Sequence, residues 1–140
     1  MKQLISLPLA LALAFSTSAF ATSHKEAPGM AASGAKIVTF DSNGGNVIAA
    51  IAYGRMIRSL GLSTFQLRSA QCASACALAF VGGVVRKAEP GSIGVHQSSF
   101  APEDAVDGRI AVAAVQAMTA QIMGSLIEMG VDPKLLQLSL

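Results

Sequence analysis

The segment KIVTFDSNGGNVIAAIAYGRMIRSL, running from Lys36 to Leu60, carries the signal that decides the fold. Lys36 to Phe40 is β-branched and aromatic, which predicts a strand. Asp41-Ser42-Asn43-Gly44-Gly45 reads as a turn, its two glycines supplying backbone angles that other residues avoid. From Asn46 to Leu60 the apolar residues Val47, Ile51, Met56, Ile57 and Leu60 recur at helical spacing. Arg55 and Arg58 lie late in that helix, where its dipole favours cations, and Gly61 stops it. Strand, tight turn and helix in immediate succession form the unit of an α/β fold.

Toward the C-terminus the same alternation continues. Thr64 to Leu67 predicts a second strand. Ser74 to Phe80 is small and apolar, as in a buried helix, and ends at Gly82-Gly83. Ser92 to His96 (SIGVH) predicts a third strand, and Ala101 to Gly108 an acidic loop. Arg109 to Met129 predicts a long helix with an apolar stripe at Val115, Met118, Ile122, Leu126 and Met129. Asp132 before Pro133 reads as a helix N-cap followed by proline at the first helical position. The fold class is therefore α/β, in one domain, and no internal repeat is visible in the sequence.

Toward the N-terminus the pattern changes. Lys2 opens a positive region, Leu4 to Phe15 is apolar apart from Ser6 and Pro8, and Ala19-Phe20-Ala21 is a small-residue cleavage site. This is the layout of a secretory signal peptide over residues 1–21, the alternative being an N-terminal membrane anchor. Thr22 to Ala35 is a small, polar leader in which His24 reads as a solvated histidine, and residues 36–140 hold the domain. Export places the protein in the periplasm or outside the cell.

Composition narrows the partners. The 140 residues carry a net charge of +2, with 13% charged and 52% hydrophobic residues. Such a chain is too apolar for disorder, and its scattered Lys and Arg form no stripe for nucleic acid. The low charge calls for a segment that is removed, a membrane or a partner. Beyond the signal peptide no segment reads as membrane-spanning, since Ile110 to Met129 contains Gln116, Gln121 and Glu128.

Chemistry gathers at three strand ends. The Gly44-Gly45 turn can present backbone N–H groups to an anion or a developing oxyanion, or be a turn and nothing more. Ser74, flanked by alanines where a strand passes into a helix, is placed as a nucleophile with the Ala75 N–H as an oxyanion donor; the plainer alternative is an N-cap. His96, closing an apolar strand, can act as general base or be a buried histidine satisfied by backbone. Cys72 and Cys76 bracket Ser74 and can form a disulfide that stiffens its turn, or stay as buried thiols. A cysteine nucleophile is a lesser alternative. Two Cys and one distant His do not make a metal site.

FDSNGGNV at Phe40 to Val47, CASACALAF at Cys72 to Phe80 and GSIGVHQSSF at Gly91 to Phe100 together resemble the proteolytic subunit of Clp protease. They resemble in particular periplasmic bacterial proteins of the Clp/crotonase superfamily, over Lys36 to about Gln137. The resemblance implies a spiral of repeated ββα units. It implies a serine hydrolase acting on a peptide or small acyl substrate, with Ser74 as nucleophile, His96 as base and the backbone of Gly44 or Gly45 with Ala75 as oxyanion hole. It implies no cofactor, and homo-oligomers built through the helix over 109–129. Asn43 stands where the family usually has proline. The family's acidic triad member and its early strands have no match here, so the chain reads as the middle of the domain, trimmed at both ends. That departure favours the second hypothesis, an inactive binding or assembly module or a remnant of the fold. A crotonase-like acyl-CoA enzyme is the weaker third, because export separates it from coenzyme A.

Overall fold

The computed structural model describes residue 29, residues 32–96 and residues 107–139. The predicted signal peptide, most of the leader and residues 101–106 of the acidic loop lie outside them. In chain order the elements are β1 (Ile37–Val38), α1 (Val47–Ser59), β2 (Ser63–Gln66), β3 (Cys72–Ala73), α2 (Ala75–Phe80), β4 (Arg86–Ala88), β5 (Ile93–Gly94) and α3 (Gly108–Glu128). A 3-10 helix (Pro133–Ser139) follows.

All strand pairings among the described residues are parallel. One sheet has the order β1-β2-β4 and the other pairs β3 with β5, extended by a single bridge between Ser42 and Cys72. The chain therefore visits the two sheets in turn and closes each visit with a helix. β1 and Ser42 precede α1, β2 and β3 precede α2, and β4 and β5 precede α3. Parallel neighbours require such crossovers, and the helices supply them. The chain is a mixed α/β protein.

Helix α1 follows its sequence closely. Asn46 caps it, its Oδ1 accepting from the Ala49 N–H at 2.9 Å, and Arg58 lies in its last turn. Ala50, Ile51, Tyr53 and Ile57 face the core. All six residues of α2 are buried, so this short helix is the centre of the domain. Glycines let its end approach α1: a Cβ on Gly54 would lie 2.8 Å from the Leu78 carbonyl oxygen, and one on Gly82 would lie 2.5 Å from the Gly54 Cα. Val38, Phe40, Leu62 and Val81 complete this side of the core, with Phe40 and Tyr53 edge to face at 6.4 Å.

The strand expected over Lys36 to Phe40 pairs only at Ile37–Val38. A buried side chain replaces the ladder beyond that point. Gln66 Nε2 donates to the Phe40 carbonyl at 3.0 Å and to Ala70 O at 2.9 Å, and its Oε1 accepts from the Phe40 N–H at 3.3 Å. The amide is fully buried and bonded at both ends, as a core amide must be. Likewise the strand expected over Ser92 to His96 pairs only at Ile93–Gly94. The strand expected to lead into Ser74 had no readable bounds and is β3, whereas β4 has no strand signal. β3 has two residues, below the length of any readable strand pattern. β4 is Arg-Lys-Ala at a sheet edge, where charge blunts further pairing.

On α3, Ile122 and Leu126 are buried, with Met129 just beyond it, but Val115 and Met118 of the expected stripe are only half-buried. Toward its start Ile110 and Val112 are 63% and 58% exposed. By length and composition alone α3 is apolar enough to cross a membrane. Its last turns are nevertheless part of this core, and Glu128 pairs with Arg55 of α1 at 2.7 Å. Hydrogen bonds from Arg55 hold the Glu128 carboxyl below the usual glutamate range. The pair therefore favours the fold above the ordinary glutamate pKa, and that contribution is lost as pH falls through the lowered folded value. Asp132 caps the 3-10 helix, accepting from the Lys134 N–H at 2.9 Å.

Two guanidinium groups tie the ends of α2 and α3 together. Arg86 donates to Val81 O at 3.0 Å and to Met129 O at 2.8 Å. Arg58 reaches the same oxygens at 3.3 and 3.2 Å. These carbonyls lie at helix C-termini, where cations are favoured, which offsets the repulsion between the two arginines. Arg86→Met keeps the stem and removes the charge-assisted bonds. It is expected to cost about 1.5–3 kcal/mol, read as a lower urea midpoint with an unchanged slope.

Candidate active site

The turn between β3 and α2 is built around one unusual residue. Ser74 has φ 56° and ψ −127°, and among the described residues it alone combines a side chain with positive φ. A serine held there costs about 1–3 kcal/mol, which the surroundings must over-determine. It occupies the N-cap position of α2, yet its side chain makes no capping hydrogen bond. The N-cap alternative is therefore not realised. A sharp strand-to-helix turn with a serine in strained backbone is the form of a nucleophile elbow, which lifts Oγ clear of its neighbours. Ser74 is half-buried.

Both sides of the turn are fastened. The Ser74 N–H donates to Gly94 O at 2.8 Å, and the Ala77 N–H to Ser74 O at 3.0 Å. Cys72 and Cys76 form a disulfide across it, with a Cα–Cα distance of 5.3 Å, within the range such bonds need. Both cysteines are fully buried. Of the two expectations for this pair, the structure has the bond.

The glycine turn lies directly against Ser74. The Ser42 N–H donates to Gln71 O at 2.6 Å, the Ala73 N–H to Ser42 O at 3.0 Å, and the Gln71 N–H to Asp41 Oδ1 at 3.1 Å. These bonds draw Gly44 so close that a Cβ on it would stand 2.6 Å from Ser74 Cβ and 3.1 Å from the Ala75 nitrogen. Gly44 also has φ 107°. Its N–H is engaged, donating to Ser42 Oγ at 3.2 Å. Among the described residues the N–H groups of Gly45 and Ala75 have no acceptor, the second because it opens a helix. Of the glycine pair, Gly45 is thus the one with a donor to offer. Asp41 and Ser42, expected only as turn residues, hold this arrangement together with Gln66, which has no signal in the sequence. The signal for the first two is their turn-forming type at the head of the glycine pair.

His96 enters through register. Cys72 pairs with Ile93 and Ala73 with Gly94, so the chain leaving β5 passes the same sheet end as Ser74. His96 is exposed, which removes the buried-histidine alternative. His96 has an interaction of its own, and catalytic Ser–His bonds often tighten only with substrate. The described carboxylates are all engaged elsewhere: Asp41 with Gln71, Glu89 with the Arg68 N–H, Asp107 with the Arg109 N–H, Glu128 with Arg55 and Asp132 with Lys134. Glu103 and Asp104 lie outside the described residues. Among the described residues no group of three or more His, Cys, Asp or Glu could hold a metal.

Neither the models of protein families nor the curated proteins yield a match to this chain.

Proposed function

We propose that this chain is an exported serine hydrolase of the Clp/crotonase type, acting on a peptide or small acyl substrate. The observation that carries the reading is Ser74 at positive φ, uncapped, with the Gly44 backbone packed against it. The alternation of the chain between two parallel sheets supports the Clp/crotonase spiral. The buried disulfide supports export, since such bonds persist in oxidising compartments.

In this reading Ser74 Oγ attacks the carbonyl carbon and His96 takes the hydroxyl proton. The Gly45 and Ala75 N–H groups receive the negative charge that develops on the carbonyl oxygen. The tetrahedral intermediate collapses, His96 returns its proton to the leaving group, and an acyl group remains on Ser74. Water, deprotonated by His96, then releases the acid and restores the serine. Outside the cell no ATP-driven unfolding is available, so a peptide substrate would be short or already extended. The exposed Ile110 and Val112 of α3 support a second copy of the chain as the partner that covers that helix.

Hydrolysis of a short-chain p-nitrophenyl ester tests the reading. His96→Ala is expected to lower turnover by about a hundredfold to ten-thousandfold with the fold intact by circular dichroism. The exposed apolar start of α3, at Ile110 and Val112, favours a second reading, a catalytically inactive binding or assembly module of the same fold. A folded wild type that forms a discrete oligomer by sedimentation and leaves the ester untouched would select it.

A further inference from the structure

We infer that the Cys72–Cys76 disulfide is a positioning bond, which selects the reactive backbone conformation of Ser74 over a helix-capping one. Its catalytic consequence rests on the proposed nucleophile, but its conformational content does not.

Ser74 is the middle residue of the five that the bond encloses. An extended chain would separate residues 72 and 76 by about 13 Å, and one helical turn would separate them by about 6 Å. The bond holds their Cα atoms at 5.3 Å, so the turn cannot open. The flanking elements are poorly able to hold it alone, because β3 has two residues and α2 has six. A serine at this position has an evident alternative: at negative φ its Oγ would cap α2 by accepting from a first-turn N–H. That conformation turns the hydroxyl inward and spends it on the helix. The loop is short, so the restriction the bond places on the unfolded chain, an effect that grows with loop length, lies at the low end of its range. Both sulfurs sit in the core, shielded from reductant in the folded protein.

The test compares the oxidised protein with two others: the Cys72→Ala/Cys76→Ala variant, and wild type unfolded in denaturant with dithiothreitol and refolded with the reductant present. Each is followed by circular dichroism, by the rate of fluorophosphonate labelling of Ser74 and by the Ser74 backbone couplings in NMR, which report the sign of φ. Without the bond, labelling is expected to slow by about a hundredfold and φ to become negative while the domain stays folded. Undiminished labelling of a folded protein lacking the bond would overturn the inference, as would a positive φ at Ser74 in that protein. Loss of the fold in both would also overturn it, because the bond would then hold the whole domain. If oxidised wild type does not label, the nucleophile reading fails, and the couplings alone decide the positioning role.

Discussion

Gly82→Ala is expected to destabilise the protein more than any other single methyl addition described here. A Cβ at that position would stand 2.5 Å from the Gly54 Cα and 2.6 Å from its carbonyl carbon. The obstacle is backbone, so no rotamer change relieves it. α1 would have to move away from α2, whose six residues are all buried. Overpacking of this kind costs about 3 kcal/mol or more, against a total for a domain of about 5–15 kcal/mol. At about 4–8 °C per kcal/mol for a domain of this size, the melting temperature should fall by on the order of 12 °C. Gly124→Ala is the control. Gly124 lies within α3 with open space around it, so alanine should be neutral or stabilise by about 0.5–1 kcal/mol through helix propensity alone.

The largest effect on activity is expected from Ser74→Ala. Loss of the proposed nucleophile is expected to lower turnover by between about a hundredfold, as for a Ser-His pair without its acid, and about a millionfold, as for a complete triad. The strained φ of 56° remains with alanine, so stability should change little. Ser74→Gly separates chemistry from strain: it also removes the nucleophile, but glycine accepts positive φ, and the protein should gain about 1 kcal/mol. That gain measures the strain Ser74 carries in this turn. Gly44→Ala approaches the same centre from the other side. Its Cβ would press on Ser74 Cβ at 2.6 Å and on Ala73 O at 2.8 Å, and its φ of 107° disfavours any side chain. Displacing this turn moves the Gly45 donor, with an expected loss of about a hundredfold to a thousandfold. Ester turnover and thermal melts on the same preparations check all three substitutions.

Much of the fold is legible where local signals agree. α1 has an N-cap at Asn46, a helical apolar face and cations at its end, and the structure matches it to within a residue at each terminus. The α/β class follows from the alternation that begins at Lys36. Legibility fails where an element owes its existence to distant partners. β3 and β4 are strands only because β5 and β2 lie beside them. The shortening of the first strand depends on Gln66, a side chain 26 residues away. The approach of Gly82 to Gly54 has no local signature, since a glycine pair reads as a turn.

The site divides in the same way. Ser74, His96 and the glycine turn are recognisable as residue types at strand ends. Whether Ser74 caps its helix or stands in a strained turn is not a property of its neighbours in sequence. It depends on the disulfide and on the bonds from Asp41 and Ser42 to the segment before β3. The choice of Gly45 over Gly44 as donor comes from the Ser42 hydroxyl, which engages Gly44.

Ser74 as an activated nucleophile is the proposal from which the activity predictions follow. Mass spectrometry of the folded, oxidised protein after treatment with a fluorophosphonate tests it most directly. A single phosphonyl group is expected on Ser74 Oγ, formed with loss of fluoride, with no adduct on Ser74→Ala and slower labelling of His96→Ala. Folded wild type that stays unmodified, or an adduct on any residue other than Ser74, would contradict it.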